Sequence, residues 1–176
     1  MSQNTITCRL CNGEATYVFS KKFIHKYDVS LFRCNHCKSL QTEEPYWIDE
    51  AYADPRPVRD VWMVERNQRL QAIVYLTTKI FGFSSNDKIL DWGGGNGLLV
   101  RILRDVGLDA YLLDKYATNY YAVGFEDNPS QDYSIITAFE VWEHLPHPII
   151  TFEEIFQRQP KIHLISTSLY SGQDDD

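Results

Sequence analysis

Two sets of residues in this 176-residue chain have types and spacings that do chemistry. The first is Asp91-Trp92-Gly93-Gly94-Gly95-Asn96-Gly97, which follows Lys88 and the apolar Ile89-Leu90 and leads into Leu98-Leu99-Val100. This is the pattern of a strand, a tight turn and a helix. Glycine lets the backbone take positive φ and lets a ligand come close. The amides of the next helix's first turn point at whatever lies over the turn. A dinucleotide-binding turn needs G-x-G-x-x-G, but here Leu98 stands where the third glycine belongs. A Walker loop needs Gly-Lys-Ser/Thr, which is missing. With no Lys or Arg in the turn, a phosphate ligand fits poorly. A carboxylate at the strand end, next to bare backbone, suits a ligand with a cationic amino-acid portion. The series Asp91, Gly93, Gly95, Gly97 is therefore expected to bind such a ligand.

The second set is Cys8-x-x-Cys11 and Cys34-x-x-Cys37, two knuckles separated by 22 residues that hold all four cysteines. Two thiolates on one knuckle reach one metal ion, and the second knuckle completes a tetrahedron. The expectation is a structural zinc site, closed by four thiolates with no open position. Disulfides are the competing reading. They are disfavoured because Met1-Ser2-Gln3-Asn4-Thr5 shows no secretion leader, which points to a reducing cytoplasm. His25 and His36 lie nearby but are not needed as ligands. About 40 residues build little core, so the metal is expected to supply stability.

Further acids fall where the elements place them. Ala110–Leu113 reads as a second parallel strand, and Asp114 at its end is placed to accept hydrogen bonds from ribose hydroxyls. The segment 132–139 reads as a strand running straight into Glu140-Val141-Trp142-Glu143-His144-Leu145-Pro146. Taken together, acidic-x-Gly-x-Gly-x-Gly and this Glu-Val-x-Glu-His-Leu-Pro stretch resemble the class I S-adenosylmethionine (SAM) dependent methyltransferases. The four-cysteine segment ahead of them resembles the zinc-ribbon branch of that family. The resemblance covers nearly the whole chain. It implies SAM as cofactor, with Asp91, Gly93, Gly95, Gly97, Asp114 and Glu140 binding it. It also implies a small-molecule or sugar-type acceptor met in biosynthesis, and a loop after the fourth strand that runs under the methionine end of SAM towards that acceptor. Glu140 and Glu143 are candidates for holding the donor's charged portion. His144 is the candidate base, with Glu143 a second catalytic candidate; a packing or turn-capping role for His144 stands equally open. Tyr116, Tyr120 and Tyr121 could flank the adenosine.

The elements that must position these residues follow from periodicity. Apolar spacing from Val58 to Phe81 predicts a long helix over 56–81. Leu98, Leu99, Ile102, Leu103 and Val106 predict a helix closed by Gly107. Residues 121–127 read as a weak strand, Pro148 opens a helix stopped before Pro160, and 161–167 form a further strand. In the ribbon, 15–19 and 31–33 can be short strands. Strands alternating with helices give an α/β fold, a doubly wound, mostly parallel Rossmann-like sheet preceded by a small zinc ribbon. The expected division is ribbon 1–44, connector and long helix 45–87, and methyltransferase domain 88–176. The family's last two strands are not seen, so the chain reads as truncated, and a scaffold without activity remains a second reading. A nicotinamide-dependent oxidoreductase is a third, disfavoured by the glycine spacing.

Bulk properties set the limits. Net charge is −7 with a pI near 5.2, which argues against a nucleic-acid partner. No apolar run has the length of a membrane span.

Overall fold

The structure is a computed structural model and describes residues 4–48, 50 and 61–170. The chain clusters into two compact units. One gathers Met1–Asp54, His144–Phe152 and Ser168–Asp176, and the other Pro55–Glu143 and Glu153–Thr167.

The first unit carries an antiparallel sheet of four strands in the order β1 (Thr5–Thr7), β2 (Glu14–Phe23), β3 (Tyr27–Cys34) and β4 (Leu40–Thr42). The two middle strands extend well past the short segments expected at 15–19 and 31–33. They form a hairpin whose turn is closed by Lys26 N–H donating to Phe23 O at 3.0 Å. Ile24 and His25 both sit at positive φ, 52° and 57°. Such turns normally use Asn-Gly, so nothing in Ile-His announces one. Cys8, Ala15, Phe32 and Cys34 form a small buried cluster.

The second unit is built on a parallel sheet in the order β6-β5-β7-β8, formed by β5 (Ile89–Trp92), β6 (Ala110–Leu113), β7 (Ile135–Phe139) and β8 (Ile162–Ser166). All four residues of β5 are buried, as expected of a central strand covered on both faces. Alternation sends Ile89 to one apolar cluster, with Val74, Leu99, Leu103 and Ala110. It sends Leu90 and Trp92 to another, with Tyr133, Ile136 and Ile155. Helices α1 (Met63–Ile80) and α2 (Leu98–Asp105) belong to this unit, as does α3 (Pro148–Gln157) from Glu153 onward. This is the α/β, doubly wound class expected from the sequence.

Two boundaries differ from expectation. Helix α1 starts at Met63, with Trp62 as its N-cap residue. Val61 and Trp62 form a turn, and the expected helical residues 56–60 lie outside the described residues. The expected strand at 121–127 is instead a turn through Ala122 and Phe125 with one bridge, Leu112 to Glu126. Gly124 at φ 87° and the Asn119 and Glu126 side chains bend the chain there instead of extending it. Helix α2 ends as predicted, with Gly107 at φ 84° just beyond its cap. Among the described residues, no helix is long and apolar enough to cross a membrane.

Candidate functional site

The glycine turn lies between β5 and α2 and opens on a cavity of about 710 Å³, all of whose lining residues belong to the second unit. That volume falls within the roughly 300–1,000 Å³ range of small-molecule sites. One wall is the turn itself, from Asp91 through Gly93, Gly94 and Gly95 to Asn96; another is α1, through Met63, Arg66 and Asn67. Phe139 and Glu140 close it at the end of β7.

Two glycines show why the turn has no side chains. At Gly94 an added Cβ would run into the Asp91 carboxylate and would meet Leu112 Cδ1 at 2.7 Å. The backbone there packs directly on the acid. At Gly95, φ is 60°, yet nothing lies within 4 Å of the added atom. Here the backbone conformation demands glycine, while the space above it is open to the cavity.

Asp91 is 2% exposed and accepts the Thr137 hydroxyl at 2.6 Å. Burial pushes its carboxyl up to about 7; the Thr137 hydrogen bond opposes this and the nearby Asp114 charge adds to it. A carboxyl in that state gains from a cation in the cavity.

Asp114 ties the site together. Its Oδ2 accepts the Gly95 amide at 2.8 Å, and its Oδ1 accepts those of Tyr116 and Ala117 at 2.8 and 2.7 Å. Those bonds use three of the roughly four lone-pair positions of a carboxylate. The loop after β6 also hangs on the turn, since Tyr120 and Tyr121 both donate to Asn96 O. Tyr120 lines the cavity, together with Ala117 and Thr118. Gly97 caps α2 at φ 86°, packed against Ala122 and Asn119.

Glu140 has φ 54°, a left-handed conformation that costs a side-chain-bearing residue roughly 1–2 kcal/mol. Ser166 donates its hydroxyl to the Glu140 carboxylate at 2.6 Å. Glu143 accepts the Thr167 hydroxyl at 3.0 Å. Glu143 and His144 lie on a short 3-10 turn (Trp142–His144), are exposed, and are not among the cavity's lining residues. The structure thus brings Asp91, Gly93, Gly95 and Glu140 to one cavity; Asp114 and Gly97 are not among its lining residues, though Asp114 holds the amide of the lining Gly95. Sequence reasoning did not single out Gly94, Asn96, Thr137 or Arg66. Arg66 is the one cation among the described lining residues, and it comes from a helix whose spacing signalled only packing.

In the first unit, the Sγ atoms of Cys8, Cys11, Cys34 and Cys37 all lie within 4.8 Å of one another. Cys8–Cys37 is 3.6 Å and Cys11–Cys34 is 3.5 Å. Both are far beyond a disulfide bond of about 2.05 Å. They are close to the roughly 3.8 Å edge of a tetrahedron with 2.3 Å metal–sulfur bonds. Amides of Leu10, His36 and Cys37 point at the Cys8 and Cys34 sulfurs at 3.4 Å. The Ser39 hydroxyl and amide hold the Cys37 thiol below its ordinary value. Four such thiols could hold a metal ion.

A Gly-rich turn at the carboxyl edge of a parallel sheet, with acids at the ends of two neighbouring strands, defines a nucleotide-type binding domain of the doubly wound class. The family model described as a methyltransferase domain matches residues 63–175, and the chain belongs to that family. This places it among the class I methyltransferases, which in general use SAM as donor. No curated protein matches the chain.

Proposed function

We propose that the chain is a SAM-dependent methyltransferase acting on a small-molecule or sugar-type acceptor, with a structural zinc ion in its N-terminal ribbon. The observation that carries the donor reading is the charge pattern of the cavity. SAM has one carboxylate and two cationic centres, an ammonium and a sulfonium. Among the described residues, the cavity wall carries two acids, Asp91 and Glu140, against the two cationic centres of SAM. The signs and the counts are complementary. Asp114 suits a ribose hydroxyl, and Tyr120 suits a face of the base.

When bound, SAM supplies a methyl group already activated for in-line displacement. The protein's part is alignment and exclusion of water. Asp91 and Glu140 hold the cationic portion, and the bare backbone at Gly95 admits the ligand to close range. His144, on the loop after β7, takes a proton from an acceptor hydroxyl or amine. The acceptor class rests on the sequence resemblance to zinc-ribbon methyltransferases. Four thiolates at tetrahedral spacing support zinc, and a fully ligated ion leaves no position for catalysis.

Methyl transfer to a panel of small hydroxylated and sugar-nucleotide acceptors, with the full chain and labelled SAM, tests the reading. Turnover of one acceptor is expected, with His144→Ala lowering kcat at unchanged SAM affinity. No transfer to any acceptor despite tight SAM binding would favour a scaffold. Unchanged kcat in the variant would remove His144 as base.

A further inference from the structure

Consecutive residues at the end of β8 reach across to the loop that leaves β7. Ser166 Oγ donates to Glu140 Oε1 at 2.6 Å. The Glu140 amide points back at the same serine, 3.1 Å from its carbonyl oxygen and 3.2 Å from its hydroxyl. One residue on, Thr167 Oγ1 donates to Glu143 Oε2 at 3.0 Å. Glu140 is thus fastened at both backbone and side chain, in a conformation at φ 54° that a glutamate does not keep unaided.

The fastening has a rigid base. Strands β7 and β8 pair in parallel with Phe139 opposite Ser166, so sheet register fixes where the serine stands relative to the residue just before Glu140. Glu140 also forms part of the cavity wall. A strained residue held by one neighbour on the wall of a binding cavity points from conformation to function. Nothing about a buried core requires it, since Glu140 is exposed.

We propose that Ser166 is a positioning residue for the donor site. Its hydroxyl sets the rotation of the Glu140 carboxylate, and its backbone carbonyl sets the turn, so that the charge meets the cationic portion of the ligand without reorganising on binding. The inference rests on the reading of the cavity as a SAM site. Alanine at 166 keeps the carbonyl, and with it the backbone bond, but loses the hydroxyl. Threonine keeps both.

The test is calorimetric titration of SAM into the full chain, with melting recorded in parallel for wild type, Ser166→Ala, Ser166→Thr, Glu140→Gln and the double variant Ser166→Ala/Glu140→Gln. Ser166→Ala is expected to weaken SAM binding by about fivefold to tenfold, with Ser166→Thr within about threefold of wild type. Glu140→Gln is expected to weaken it at least as much. Removing the hydroxyl in the Glu140→Gln background is expected to change little, since the serine acts through the charge. Equal affinity of wild type and Ser166→Ala would overturn the proposal, as would the same loss from Ser166→Ala in both backgrounds. Should Ser166→Ala melt below the assay temperature, wild-type affinity in Glu140→Gln would overturn it independently. A wild-type chain that takes up no SAM would overturn the cavity reading itself, and this proposal with it.

Discussion

At the scale of single residues, Asp91 is the most informative group. Its carboxyl is held near 7 in the fold, against an ordinary 3.8. For an acid raised in this way, the folded state binds the extra proton between those values. The cost of burying the charge is therefore absent below about 3.8, grows as pH rises, and is complete above about 7, where it amounts to about 4 kcal/mol. Asn at this position keeps an acceptor for Thr137 and carries no charge. Asp91→Asn is expected to melt above wild type at pH 8, with the gap narrowing as pH falls to 5; scanning calorimetry reads this directly. Ligand affinity should run the other way. A cationic donor favours the carboxylate, so SAM affinity is expected to fall by up to tenfold per pH unit below about 7 in the wild type. It should stay flat in the variant. A wild-type affinity independent of pH from 5.5 to 7 would show that Asp91 does not meet the ligand's charge.

At the scale of elements, the strand-turn-helix at 89–105 was legible because each part of it follows from local chemistry. Apolar residues bury β5 on both faces, glycines make the turn, and 3.6-residue spacing makes α2. The β2–β3 hairpin was not legible. Its turn uses Ile24 and His25 at positive φ, where a β-branched residue is strained. The sheet pairing on either side, from Ala15–Cys34 to Phe23–Tyr27, holds them there. Replacing the pair, Ile24→Asn with His25→Gly, should relieve that strain and stabilise the ribbon by roughly 1–2 kcal/mol. Thermal unfolding checks it, and a lower melting temperature in the double variant would mean the two side chains pack usefully. The segment 121–127 misled for a related reason. Its apolar residues suggested a strand, while Gly124 and side-chain hydrogen bonds from Asn119 and Glu126 made a turn.

At the scale of the whole molecule, the chain carries two constellations of residues with separate physical origins. The cysteine quartet was readable from spacing alone, because two Cys-x-x-Cys knuckles bring four thiols close enough to hold one metal ion. The four buried residues of its cluster, two of them cysteines, make a small core. Metal ligation of the structural kind is worth about 10–16 kcal/mol in small domains. On the proposed zinc site, treatment with a strong chelator is therefore expected to release one zinc per chain and to abolish hydrogen-exchange protection in β2 and β3. Full protection after complete removal would show that the sheet stands without it. The cavity was only half readable. Asp91, Gly93, Gly95 and Glu140 could be found because they sit at strand ends beside a recognisable turn. Arg66 could not, because only the folding of α1 against the sheet brings a helix side chain 25 residues before Asp91 onto the same wall.

The central claim is that this wall receives a sulfonium nucleoside. Calorimetric titration of the full chain with SAM, and in parallel with NAD, tests it most directly, using Gly94→Ala as control because its methyl would occupy the space of the Asp91 carboxylate. One SAM bound per chain, no heat with NAD, and loss of SAM binding in the variant are expected. Binding of NAD in place of SAM, or SAM bound equally well by Gly94→Ala, would contradict it.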